Sequence, residues 1–233
     1  MVLSSPASFD TLSDVDLFPL FLSLQVAVFA TGITLLLGTP LAWALARLDF
    51  PGRGVASSLV MLPMVLPPTV LGYYLLVVIG RQGAIGRFLE DTFGITLVFT
   101  WQAAVIASSL VSLPLLVRAA QAAFEEVDRT VESAARTLGR SNPAVFLTVT
   151  VPLAWRGIAA GTALAFTRAL GEFGATLMVA GNIPGQTQTM PVAIYDAVQG
   201  GNTALANVLV GIVTATAVVA LVAFDRIGRK SRV

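Results

Sequence analysis

The 233-residue chain contains no cysteine and no histidine, and its single lysine is Lys230. Without cysteine there are no disulfides, thiolate metal sites or thiol nucleophiles, and without histidine there is no imidazole base. Charge is scarce as well: 12% of residues are charged, about half the share expected of a soluble domain. A phosphate-cradling P-loop requires G-x-x-x-x-G-K-[ST], and the lysine in "IGRKSRV" lacks the preceding glycine. The first 16 residues, "MVLSSPASFDTLSDVD", hold three Asp and no Lys or Arg. A secretory leader begins with a basic region, so the first span is expected to act as its own insertion signal.

What remains is 56% hydrophobic, with a mean hydropathy of +0.84. That composition defines an all-α integral membrane protein with one membrane domain. Apolar runs bounded by charge place five spans, at Leu17–Ala46, Val55–Ile79, Ile95–Val117, Gly157–Ala180 and Leu205–Phe224. The first run is long enough to open with an interfacial turn at Phe18-Pro19 or to tilt. The expected division is an extracytoplasmic tail over 1–16, a transmembrane domain over 17–224 with a loop at 119–156, and a basic cytoplasmic tail over 225–233. Eleven Lys and Arg residues fall on one side of the five-span arrangement and only Arg81 and Arg87 on the other. By the positive-inside rule the N-terminus is expected outside and the C-terminus in the cytoplasm. A sixth span would break this pattern.

Pro63, Pro67 and Pro68 should kink or break the second span near its middle, either as a tolerated kink or as a bend lining a pathway. Ser108, Ser109 and Ser112 in the third span, and Gly161, Ala163, Ala165, Ala169 and Gly171 in the fourth, favour close helix packing, within the chain or against a second copy. The fourth span also carries opposite charges, Arg168 and Glu172, about 16 and 22 Å along the helix from Gly157 at 1.5 Å per residue. At i and i+4 they share a face. They either neutralise each other against a neighbouring helix, or Arg168 attracts an anion that Glu172 tunes.

The loop between the third and fourth spans is the most regular polar segment. Asp128 is placed to cap a helix through Leu138, Gly139 to end it in the left-handed region, and Asn142-Pro143 to start another. Val131, Ala134, Ala135 and Leu138 form an apolar stripe at helical spacing, and its simplest packing is against the ends of the chain's own spans.

The order Ala134-Ala135, three residues, Gly139, nine residues, Val149, one residue, Val151-Pro152 is similar to the cytoplasmic loop EAA-x3-G-x9-I-x-L-P of type I ABC-importer permeases. It departs from that pattern in two ways. Ser133 occupies the acidic position, with Glu132 one residue early, and valines replace Ile and Leu. "RLDFPGRG", "LPMVLPPTVLGYYLL", "TLGRSNPAVFLTVTVPL", "RALGEFGAT" and "GNIPGQTQTMPVAIY" resemble the molybdate/tungstate branch almost end to end, with sulfate permeases the nearest confusable branch.

The resemblance implies a type I importer permease fold and a non-catalytic transport subunit in a prokaryotic inner membrane. It implies a homodimeric pathway for molybdate or tungstate with alternating access, two cytoplasmic ATPases carrying ATP-Mg, and an extracytoplasmic oxyanion-binding protein. No cofactor, metal or nucleic acid is expected on this chain. Glu132, Ser133, Ala134, Ala135, Gly139, Pro143 and Pro152 become the expected coupling residues, with a short rigid helix bracketed by Gly139 and Pro143 moving as a body. Arg168, Glu172, Pro67 and Pro68 become the expected pathway residues. The alternatives are a permease for sulfate or another oxyanion, an ion-coupled secondary transporter, for which Glu172 is the only acid well inside a span, and a membrane enzyme, for which the chain has little to build a catalytic set.

Overall fold

In the computed structural model, residues 16–230 are described, and all of their regular structure is helical. The expected tail over 1–16 therefore lies almost wholly outside the described residues, as do 231–233. The first apolar run is one helix, α1 (Phe18–Arg47). Pro19 sits in its first turn, and Asp16 Oδ1 accepts the Phe18 N–H at 2.8 Å. Thirty residues rise about 45 Å against a hydrocarbon core of about 30 Å, which is the geometry of a tilted or projecting span.

The second run breaks where its prolines require. Helices α2 (Arg53–Val65) and α3 (Pro68–Ile79) are separated at Leu66-Pro67 and turn through 113°. Pro68 has no N–H to donate and Pro67 holds an extended ψ of 138°, so α3 begins afresh rather than continuing α2. A short helix, α4 (Ala84–Phe93), follows where the sequence suggested only a connection. Next comes α5 (Trp101–Glu126), which starts later than Ile95 and runs nine residues past Val117. Its N-cap is Thr100, whose hydroxyl accepts the Ala103 N–H at 3.3 Å.

The connecting loop contains α6 (Arg129–Thr137) and then α7 (Asn142–Val145), which passes through a π turn at Phe146–Thr150 directly into α8 (Val151–Leu170). The predicted fourth span ends at Leu170 and resumes as α9 (Gly174–Ala180). Then come α10 (Met190–Gln199), unforeseen and too short to span, and α11 (Thr203–Lys230), which carries the last apolar run on as helix beyond Phe224. Among the described residues, four helices are long and apolar enough to cross a membrane, and the bent α2–α3 pair makes a fifth if it counts as one span.

Helix α5 is the central post, packed on both α1 and α8. Along α1, a Cβ on Gly38 would meet Leu116 at 2.8 Å, and the Thr34 and Ser112 hydroxyls lie 3.3 Å apart, fully buried. Along α8, a Cβ on Gly157 would collide with the Ala123 side chain, and one on Gly161 would sit 3.0 Å from Ala119 Cβ. Gly38, Gly157 and Gly161 therefore serve contact with α5 of the same chain, whereas Gly171 is exposed with no α5 atom near an added Cβ.

At the end of the bundle away from α6, the "GNIPGQTQTM" segment is tied down by hydrogen bonds. Gln188 donates to Asn182 at 2.8 Å, Asn182 to Asp196 at 3.1 Å, and the Met190 N–H to Ser23 Oγ at 2.8 Å. Gly181 adopts φ +75° beneath the Phe99 ring, a position that a side chain would strain.

Candidate functional site

Two places concentrate chemistry in this chain: the α6 loop and the break between α8 and α9. In the loop, Asp128 caps α6 by accepting the Thr130 N–H at 2.8 Å. That backbone bond, followed by the Thr130 hydroxyl, holds the Asp128 carboxyl below its ordinary range. Gly139 has φ +84° and ends the helix as expected. The next start lies one residue earlier than predicted. Ser141 occupies the N-cap, and Asn142 instead uses its carboxamide oxygen to accept Arg136 Nε at 3.1 Å. The rigid piece of the loop is α6, which precedes Gly139, while Pro143 lies in the first turn of α7.

The apolar stripe does not fold back on the span ends. Leu138 is 85% exposed, Val131 46% exposed, Ala134 exposed and Ala135 half-buried. Val131 borders an open groove of about 410 Å³ with Leu153, Gly157 and Arg156, beside Glu126 and Asp128. The buried residue of α6 is Glu132, on the opposite side.

Glu132 Oε1 accepts the Thr150 hydroxyl at 2.8 Å and lies 3.3 Å from Arg47 Nη2, while Oε2 lies 3.7 Å from Arg136. Arg47 also donates to the Val127 carbonyl at 2.6 Å. One carboxylate thus ties α6 to the end of α1 and to the π turn before α8. This accounts for an acid one residue ahead of the expected position: the early register points Glu132 inward. Of the expected coupling residues, Ser133, Ala134, Ala135, Gly139, Pro143 and Pro152 reach the surface or its edge, Ser133 beside a cavity on the inner side of α6, whereas Glu132 is internal. Sequence reasoning counted Arg47 only as a topogenic charge, and Thr150 carried no signal at all.

At the second place, Arg168 and Glu172 do pair, with Nη1 to Oε2 at 2.7 Å. They do not share a helix. The helix ends at Leu170, leaving Arg168 in the last turn of α8, where a cation suits the carbonyl end. Glu172 Oε1 accepts the Ala175 N–H at 2.8 Å at the start of α9. Each charge therefore meets the helix terminus of opposite sign, which removes the penalty of an Arg-before-Glu order within one helix.

Glu172 is enclosed, its side chain 1% exposed, but Arg168 is 33% exposed and borders a cavity of about 180 Å³ with Pro63, Leu66, Pro68, Val111 and Leu115. A Cβ on Gly174 would sit 2.9 Å from Pro68 Cβ, so the two broken helices meet at their breaks. Non-helical backbone inside a bilayer is stable only where protein or a cavity covers it, and here the two breaks cover one another. Pro67 is exposed at the same break but does not border the cavity.

This helical architecture is that of ABC importer membrane components. It is shared with a chain of the MetNI methionine ABC transporter in inward-facing conformations, with a TM-score of 0.73 at 16% identity over 97% of this chain and all of that one. It is also shared with a bacterial ABC transporter involved in import of the acidic polysaccharide alginate, with a TM-score of 0.71 at 16% identity over 95% of this chain and 82% of that one. The chain belongs to the family described as binding-protein-dependent transport system inner membrane component, which it matches over residues 21–231.

Within that family it is 46% identical over 223 residues to the molybdenum transport system permease protein ModB of Escherichia coli K12, covering 95% of this chain and 97% of the relative. It is 46% identical over 188 residues to the putative molybdenum transport system permease protein YvgM of Bacillus subtilis, covering 81% and 83%. The ModB protein of Azotobacter vinelandii is 42% identical over 200 residues, covering 86% and 88%.

Proposed function

We propose that the chain is the permease subunit of an ATP-driven importer of molybdate or tungstate, working as a homodimer in the inner membrane. A soluble binding protein delivers the oxyanion outside, and two ATPase subunits bind inside. The carrying observation is the exposed apolar face of α6, on a loop locked to two spans. Val131, Ala134, Ala135 and Leu138 present to solvent a surface that a soluble partner would cover. The chain-long identity to molybdenum permeases supports the choice of substrate.

The mechanism follows from continuity. An ATPase that closes against α6 pulls on Glu132, and through it on Arg47 of α1 and Thr150 ahead of α8. From the π turn onward α8 is uninterrupted helix as far as Leu170, so the displacement arrives at Arg168. There a partly exposed guanidinium beside the junction of two broken helices offers an anion one transient charge partner, while Glu172 keeps the site from trapping it. The eleven basic residues on the α6 side support a cytoplasmic position for that side.

The test is uptake in proteoliposomes with and without a cognate ATPase and binding protein, using ATP inside and molybdate, tungstate or sulfate outside. Molybdate or tungstate uptake that needs all three components is expected. Sulfate preference would transfer the reading to the sulfate branch, and full uptake by this chain alone would make it a secondary transporter.

A further inference from the structure

The inner side of α6 forms a second feature, beside the Glu132–Arg47 link through which coupling runs. A cavity of about 500 Å³ lies between the end of α1, α6 and the π turn, bordered by Arg47, Arg129 and Arg136 together with Trp43 and Phe146. Glu132 is the one acid lining it, and its carboxylate is already engaged by Arg47, Arg136 and Thr150. Three guanidiniums thus face one carboxylate.

Two of the three arginines retain hydrogen-bonding capacity. Arg47 has a side chain only 8% exposed, and its Nε is buried with no hydrogen-bond partner. A guanidinium donor in that condition is costly unless an acceptor arrives. Arg129 has no ion pair among the described residues and stands at the first position of α6, where a cation opposes the helix dipole. An anion in the cavity would pair with the exposed Arg129 and offset the charge of the buried Arg47.

We propose that this cavity binds a phosphate-class oxyanion, held by Arg47, Arg129 and Arg136. Guanidinium groups fit tetrahedral oxyanions through paired donors. The apolar part of the lining suits a phospholipid headgroup: Trp43 and Phe146 pack edge to face at 5.4 Å one turn above Arg47, as aromatic side chains do at the headgroup level. A free phosphate would use the same arginines without the rings.

The two sources separate in one experiment on the purified full-length chain in detergent. Native mass spectrometry and thermal unfolding are followed on adding phosphatidylglycerol, phosphatidylcholine or inorganic phosphate. Retained phosphatidylglycerol with a raised Tm, and no response to inorganic phosphate, is the headgroup result. A comparable response to inorganic phosphate assigns the site to the free anion. Arg129→Gln should weaken retention about fivefold, and together with Arg136→Gln about thirtyfold, since each arginine contributes about 1 kcal/mol toward an anionic headgroup. Arg129→Lys should keep most of it, and Arg156→Gln, outside the cavity, should change nothing. Arg129 is exposed and unpaired among the described residues, so its variants test the site without breaking the fold. Equal retention of all ligands by wild type and Arg129→Gln, or no retention by either, would overturn the proposal.

Discussion

The Glu132 carboxylate lies 3.3 Å from the Arg47 guanidinium, joining the middle of α6 to the last residue of α1 with both side chains more than nine-tenths buried. Removing one member of such a pair strands the other, at about 3–5 kcal/mol. Glu132→Ala should therefore destabilise the chain by that order in mixed-micelle unfolding. A double-mutant cycle with Arg47→Ala should show strong coupling. Additive losses would mean that the pair does not fasten the loop.

The α5–α8 contact is set by missing side chains. Gly157→Leu must push α8 off Ala123 and should cost about 1–3 kcal/mol by overpacking. At Gly171 the nearest atom to an added Cβ is 3.7 Å away, so Gly171→Ala should stay within about 0.5 kcal/mol. The same unfolding assay checks both, and equal effects would contradict the packing described.

Asp128 gives the loop a pH dependence of known sign. Its folded carboxyl is held below the ordinary range by the Thr130 N–H, so its capping contribution is present above about pH 3.9 and lost as pH falls through the lower folded value. Amide exchange at Thr130 and Val131 should quicken only in that acid window. Asp128→Asn should keep the cap and flatten the profile, whereas Asp128→Ala should exchange fast at every pH. An unchanged acid profile in Asp128→Asn would assign the effect to another group.

Arg168 separates structure from transport. The paired change Arg168→Gln with Glu172→Gln removes both charges, leaves no stranded ion, and should yield a folded chain that has lost most of its oxyanion uptake. Arg168→Lys should retain part of it. Undiminished uptake by the double variant would reduce the pair to a helix-break clasp.

The spans, the break at Pro67-Pro68, the Asp128 cap and the Gly139 stop were all legible in the sequence, because each depends on local chemistry: apolar run length, a missing N–H, a side-chain acceptor, a positive φ. What escaped was long-range or set by competition. Arg47 and Glu132 are far apart in sequence, and nothing near either one announces the other. The end of α8 at Leu170 was hidden by an unbroken run of helix-compatible residues, and only the capping of α9 by Glu172 explains why the helix stops. The direction of the stripe could not be read from periodicity, which favoured the span ends while the family resemblance favoured an outward face: periodicity locates an apolar face, and the inward carboxylate of Glu132 decides which way it turns. Helix α4 is short and amphipathic, and α10 is short and follows the hydrogen-bonded "GNIPGQTQTM" segment, so neither carries the long apolar signal by which spans are found.

The native chain has no cysteine, so a single introduced thiol reports one position without background. The most direct test of the coupling claim is disulfide or short-linker cross-linking of Leu138→Cys and, separately, Ser133→Cys to a thiol in the docking groove of the ATPase within the assembled, reconstituted transporter. Both positions are exposed, but they lie about 140° apart around the helix at 3.6 residues per turn, Leu138 on the apolar stripe and Ser133 beside the arginine-lined cavity. Efficient cross-linking from Leu138→Cys, altered by ATP and absent from Ser133→Cys, is the predicted result. Cross-linking from Ser133→Cys with none from Leu138→Cys would contradict it.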